Sequence, residues 1–146
     1  MNNIIKSYIL VFIQFFCLGF ILITSPVFQS SQITILFFCT GVFLVCWSII
    51  TMKIDNLTAV PIPKEQAKLI TKGPYSIIRH PMYLALLLIV IPLVIDNFTY
   101  LNLLVCIVLI ICLLYKIDFE EKLLIRKFDN YKDYMKKTNR IIPYIY

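Results

Sequence analysis

At 146 residues the chain has room for one domain, and 60% of it is hydrophobic, with a mean hydropathy of +0.86. Soluble domains carry about 45–50% apolar residues, and a core of this length cannot hide the excess, so a water-soluble globule is excluded. The net charge of +6 would suit a nucleic-acid binder, but long uncharged runs point instead to lysines beside anionic headgroups.

Residues 5–25 hold Lys6 and then an apolar run, Tyr8–Thr24. It is longer than a signal-peptide core of roughly 7–15 residues and no small-residue cleavage site follows, so it reads as a first membrane segment. Residues 33–52 are a second, close to the ~20 residues needed to cross a bilayer core. Residues 53–81 make the longest polar stretch, punctuated by Pro61, Pro63 and Gly73-Pro74. Residues 82–96 are apolar but short for a full crossing, and Pro92 is expected to kink them. A turn at Asp96-Asn97-Phe98-Thr99 leads back through residues 99–116, which makes the pair a helical hairpin. Residues 117–146 are charged and read as a C-terminal region with an amphipathic helix.

The fold class is therefore all-α: a polytopic membrane protein of about four transmembrane helices, in one domain spanning residues 1–146. With four spans, Lys6, the five basic residues of 53–80 and the eight of 116–140 account for all fourteen and fall on one side. The positive-inside rule then puts both termini and the long loop in the cytoplasm, in the plasma or inner membrane if the source is bacterial. The five cysteines (Cys17, Cys39, Cys46, Cys106 and Cys112) all lie in apolar runs with no C-x-x-C spacing. They read as small buried hydrophobes, with no metal expected.

Two polar patches stand out. In the first, Gly73-Pro74-Tyr75 and Arg79-His80-Pro81-Met82-Tyr83 hold the one histidine of the chain. A residue before proline leans away from helix, so His80 is expected to be extended, and Pro81 suits a first helical turn. Arg79, His80 and the free N–H groups of that turn make a candidate anion site. The alternative is a positive-inside anchor with Tyr75 and Tyr83 as interfacial aromatics. In the second patch, Ile117, Leu124, Phe128, Tyr131 and Met135 share one helical stripe, with Glu120 and Glu121 on either side of it. Adjacent acids on a packed face need a cation. Arg79 or Lys116 could supply it, and so could a ligand's ammonium or sulfonium. A ligand that satisfies both patches carries a carboxylate and a positive charge, as S-adenosyl-L-methionine does; NADPH would suit only the anion site.

The G-P-Y block, the R-H-P-M-Y block, Glu120-Glu121 and the later Phe128, Tyr131, Tyr134 and Pro143 resemble the isoprenylcysteine carboxyl methyltransferase family. The phospholipid N-methyltransferases are broadly similar in the same region. The resemblance implies an integral membrane methyltransferase that uses S-adenosyl-L-methionine. Its lipophilic acceptor, a carboxyl, amine or thiol of a lipid-like or prenylated molecule, would enter from the bilayer. It further implies cofactor contacts at Ala67, Lys68, Leu69, Ile70, Gly73, Tyr75, His80, Pro81, Met82, Tyr83, Glu120 and Glu121, with His80, Arg79 and Glu120 as catalytic candidates. Four positions before Glu120, where these methyltransferases often carry an arginine near the acceptor, this chain has Lys116. A carboxylate or thiolate acceptor needs no general base, whereas an amine or phenol would need one, and His80 is the candidate. Two other readings stay open: an NADPH-dependent membrane reductase of the sterol-reductase type, and a non-catalytic membrane subunit.

Overall fold

The computed structural model describes residues 3–56, 58, 60–64 and 66–143; the last three residues of the C-terminal region lie outside these. With no water in hydrocarbon to satisfy backbone groups, each apolar run closes its hydrogen bonds internally as a helix. The order is α1 (Asn3–Thr24), α2 (Gln32–Asn56), α3 (Pro81–Asp96), α4 (Tyr100–Lys127) and α5 (Tyr131–Lys137), with a short 3₁₀ turn at Gly73–Ser76. The architecture is all-α, as expected from composition. Three stretches are long and apolar enough to cross a bilayer, Ile4–Thr24, Gln32–Lys53 and Tyr100–Lys127, and Pro81–Asp96 is a shorter apolar helix. The second of these ends where Lys53 leaves helical geometry (φ 60°, ψ 153°). α3 continues through Pro92 as one helix.

α1 packs on α4 and α3, and α2 packs chiefly on α3. The core forms where α1, α3 and α4 meet, around Ile21, Val90, Leu93, Leu109 and Leu113. Cys17, Cys106 and Cys112 are buried, but Cys39 and Cys46 are exposed on α2 and so are not the core hydrophobes expected. Phe12, Phe16, Ile33, Phe43 and Ile50 face outward, a distribution that needs lipid around it. Both connections at one end are tied together. Asp96 accepts from the Ser31 N–H (2.6 Å), and Asn102 receives the Thr24 hydroxyl (2.9 Å) while its amide donates to Ser25 (3.2 Å).

Helix length positions the site. At 1.5 Å per residue, the 16 residues of α3 rise about 24 Å from the shared turn, short of a bilayer core of about 30 Å. The 28 residues of α4 rise about 42 Å. The start of α3 therefore lies near the level of Lys116, and the polar end of α4 stands above it. Nor does α4 break where its charges begin, because the helix runs unbroken through Glu120 and Glu121 to Lys127. The residues before α3, together with α5, fold into the recess beside that extension.

Gly41 lets α2 and α3 approach. A Cβ there would lie 2.6 Å from Ile89 Cγ1 and 2.8 Å from the Ala85 carbonyl oxygen, whereas one at Gly19 would meet nothing within 4 Å. Gly41→Ala should therefore lower stability by about 1–3 kcal/mol, and Gly19→Ala should not. Thermal unfolding of the two variants in detergent checks this, and equal midpoints would refute the close packing.

Candidate functional site

The site begins with a loop pinned from both sides. Gly73 adopts φ +57°, and a Cβ there would sit 2.8 Å from Thr51 Oγ1 of α2, so the turn is a position for glycine. Pro74 and Tyr75 are buried behind it, and the Tyr134 hydroxyl donates to the Tyr75 carbonyl at 2.5 Å. The segment after α5 runs parallel to residues 77–80. Arg79 N–H donates to the Asn139 carbonyl (2.8 Å), His80 N–H to that of Arg140 (3.0 Å), and Asn139 N–H to that of Ile77 (3.2 Å). His80 (φ −123°, ψ 59°) stands outside the helix, though not in the fully extended form expected, and Pro81 begins α3.

Charge closes the two patches on each other. Arg79 Nε donates to Glu121 Oε1 at 2.7 Å, and its Nη1 donates to the carbonyls of Met135 (3.2 Å) and Thr138. Arg140 Nη2 lies 2.9 Å from Glu121 Oε2 and 3.7 Å from Asp118. The Glu121 side chain is 3% exposed between these two arginines. Glu120, one residue earlier, is rotated about 100° around the helix and keeps 26% of its side chain exposed. It accepts the Tyr83 hydroxyl at 2.9 Å. His80 lies flat on the Tyr83 ring (centroids 5.4 Å apart, 6° between planes), with Nδ1 3.8 Å from Glu120 and Nε2 3.5 Å from Glu121. The two acids thus have different neighbours: Glu121 is held by arginines and Glu120 by a phenol.

These groups surround a cavity of about 280 Å3, at the small end of ligand-binding cavities. Of the residues named from sequence, Ala67, Lys68, Leu69, Ile70, Tyr75, Arg79, His80, Pro81, Met82, Tyr83, Lys116 and Glu120 line it; Gly73 and Glu121 stand behind the lining. The Arg79 guanidinium is engaged by Glu121 and the chain carbonyls, so it serves the C-terminal segment and not a free anion site. The apolar stripe is shared between two helices, since Phe128 ends α4. Ile117 and Tyr131 are fully buried, and Leu124 and Phe128 face the cavity. Among the described residues no cluster of potential metal ligands forms.

Three contributors were missed from sequence. Asn56 clamps the backbone of Lys68, accepting its N–H (3.0 Å) and donating to its carbonyl (3.3 Å). Arg140 carried no signal beyond its charge. Gln14 of α1 accepts from Lys116 Nζ at 2.5 Å; an amide inside an uncharged apolar run was the available clue.

The cavity can hold a cation against Glu120, flat groups on its aromatic walls and polar atoms along the 67–70 backbone. The Tyr131 hydroxyl is buried with no hydrogen-bond partner among the described residues, and this wall is part of the cavity. Such an atom needs a polar group from elsewhere. A family model described as phospholipid methyltransferase matches residues 30–131, which include α2, both patches and the start of α5. The chain belongs to the phospholipid methyltransferase family. Its reaction class is methyl transfer, and its setting, from the apolar helices, is a membrane. The comparison with curated proteins gives no match. α1 and the residues beyond Tyr131 that pin the R-H-P loop lie outside the matched region of this methyltransferase.

Two outcomes follow from this geometry. Arg79→Met should cost about 3–5 kcal/mol, because it strands the Glu121 carboxylate in a buried place; chemical unfolding in detergent measures it. Burial pushes the hydroxyls of Tyr75 and Tyr131 well up and that of Tyr134 up to about 12, from an ordinary value of 10. A folded-state value raised above the unfolded one gives stability that is complete below pH ~10 and lost as the pH climbs towards 12. Unfolding midpoints should therefore hold through about pH 9 and fall above it, less steeply in Tyr134→Phe.

Proposed function

We propose that the cavity binds S-adenosyl-L-methionine and that the protein transfers a methyl group to a lipophilic acceptor at the cytoplasmic membrane face. One observation carries the reading. Glu120 turns a carboxylate to the cavity while both nearby arginines are taken up by its neighbour Glu121 and the chain carbonyls. A wall with that acid and tyrosine rings suits a molecule with a cationic centre. When bound, the cofactor supplies an electrophilic methyl on a sulfonium.

The chain's own part is to bind, orient and exclude water. Tyr83 fixes the Glu120 carboxylate through its hydroxyl and supports the His80 ring through its face, so Glu120 is set to hold a positive charge. The 67–70 backbone, steadied by Asn56, offers polar atoms along one side. Apolar groups such as Leu124 and Phe128 keep the site dry, which strengthens the electrostatics within it and favours close contact of the reacting groups. Lys116 lies on the acceptor's side. A carboxylate or thiolate acceptor reacts without a base, whereas an amine gives up its proton, and His80 beside Glu120 is placed to receive it.

The cytoplasmic orientation rests on charge. Lys6 lies 5.5 Å from the Phe119 ring centroid, so the start of α1 and the polar end of α4 share a side, and the basic residues gather there.

Purified protein in detergent should bind S-adenosylhomocysteine in a calorimeter, and Glu120→Ala should weaken that binding tenfold or more. Glu121→Ala should instead lower the unfolding midpoint sharply. Absence of heat at millimolar ligand with folded wild-type protein would overturn the reading.

A further inference from the structure

The cavity wall carries an amine that the reaction above does not use as a nucleophile. Lys116 lines the cavity and is 2% exposed. Its ammonium donates to Gln14 Oε1 and lies 5.3 Å from the centroid of the Tyr83 ring. An ammonium has three N–H donors, and the described residues give this one a single neutral acceptor, a ring face and no ion pair. The buried and half-exposed acids nearby have other partners. Glu121 is occupied by Arg79 and Arg140, and Asp118 by Lys122 and Arg140.

Glu120 follows four residues later, so the two side chains share one face of α4, with Cβ atoms about 6 Å apart. Tyr83 joins them. Its hydroxyl holds the Glu120 carboxylate at 2.9 Å, while its ring lies against the Lys116 ammonium. A sulfonium paired with Glu120 is therefore one helical turn from a nitrogen in the same wall. Among the described residues Lys68 is the other lysine in that wall, and it is exposed to water. Lys116 is not, so its nitrogen has little hydration to shed before it meets an electrophile.

We propose that Lys116 is a methylation site of this protein: with no lipid acceptor in the cavity, its Nζ takes the methyl group itself. The proposal rests on the methyl-transfer reading above. The ammonium first gives up a proton to water at the exposed edge of Glu120, whose side chain is 26% exposed. The freed lone pair forms a bond to the methyl carbon, and the carbon–sulfur bond breaks with its electrons left on sulfur. The products are N-methyl-lysine, which keeps the positive charge, and a neutral thioether. Gln14 is a positioning residue that sets the extent. It engages one N–H, so two remain to be replaced and the reaction stops at dimethyl-lysine. Each methyl removes an N–H that has no acceptor in an apolar wall, and a methylated ammonium still suits the face of Tyr83.

The test incubates the full chain, purified in maltoside detergent, with deuterium-labelled S-adenosyl-L-methionine and no lipid acceptor, and maps the label by peptide mass spectrometry. The peptide holding Lys116 should gain one or two labelled methyl groups, and excess S-adenosylhomocysteine should suppress the gain tenfold or more. Lys116→Arg, whose guanidinium does not lose its proton, should show none; if that variant does not fold, the wild-type peptide map decides alone. Label confined to the exposed lysines, trimethyl-lysine at this position, or equal labelling of heat-unfolded protein would overturn the proposal. A second readout involves no methyl transfer. Acetic anhydride should acetylate Lys116 in the absence of the methyl donor, and S-adenosylhomocysteine should slow that step fivefold or more; a rate unchanged by the ligand would also overturn the proposal. Calorimetry on the same sample separates the two failures. Bound S-adenosylhomocysteine with an unlabelled Lys116 would sink this inference alone, whereas absence of binding would sink the methyl-donor reading and this inference with it.

Discussion

A carboxylate buried to the extent of Glu121 cannot persist without cations and hydrogen bonds around it. This chain meets that demand with arginines from two distant stretches. Arg79 comes from the loop before α3, and Arg140 from the segment after α5. Because each arginine is also held through backbone atoms, the pairing fixes where whole segments run. Arg79 caps the end of α5 through the Met135 and Thr138 carbonyls, and the strand-like pairing of residues 77–80 with the tail follows. His80 then has one available place, flat on Tyr83 and beside Glu120. One buried acid organises the site so that its neighbour can face a ligand.

That arrangement also needs the difference in helix length. If α3 were as long as α4, its start would stand level with Lys127, and no recess would remain for the loop and α5. A short α3 beginning at Pro81 lowers the R-H-P sequence to the depth of Lys116 and leaves one wall of the recess to α4. The cavity therefore lies partly below the level at which the polar residues of α4 begin. A site serving both a polar cofactor and a lipophilic acceptor needs such a boundary position.

The helices were legible because an apolar run of about 20 residues has few other solutions. The meeting of the two patches was legible for an electrostatic reason: adjacent acids on a packed face must find a cation. What each acid does could not be read as surely, since Glu120 and Glu121 differ by one 100° step, and the exact roll of α4 against α3 decides which faces the arginines. The stripe from Ile117 to Met135 was read as one helix because periodicity does not register the break at Phe128. Asn56 and Arg140 were invisible because their partners are backbone atoms and a distant acid. Cys39 and Cys46 were misplaced because a helix bathed in lipid has no sequence penalty for turning a thiol outward.

The pairing of the tail with residues 77–80 has a consequence for biosynthesis. All four long helices precede it in the chain, so a chain cut short after α4 would still carry every membrane helix. The loop that brings Arg79 and His80 to the pocket is held only once Asn139 and Arg140 pair with it. Completion of the site is thus separable from membrane insertion, and a chain truncated before Asn139 would be embedded yet unfinished.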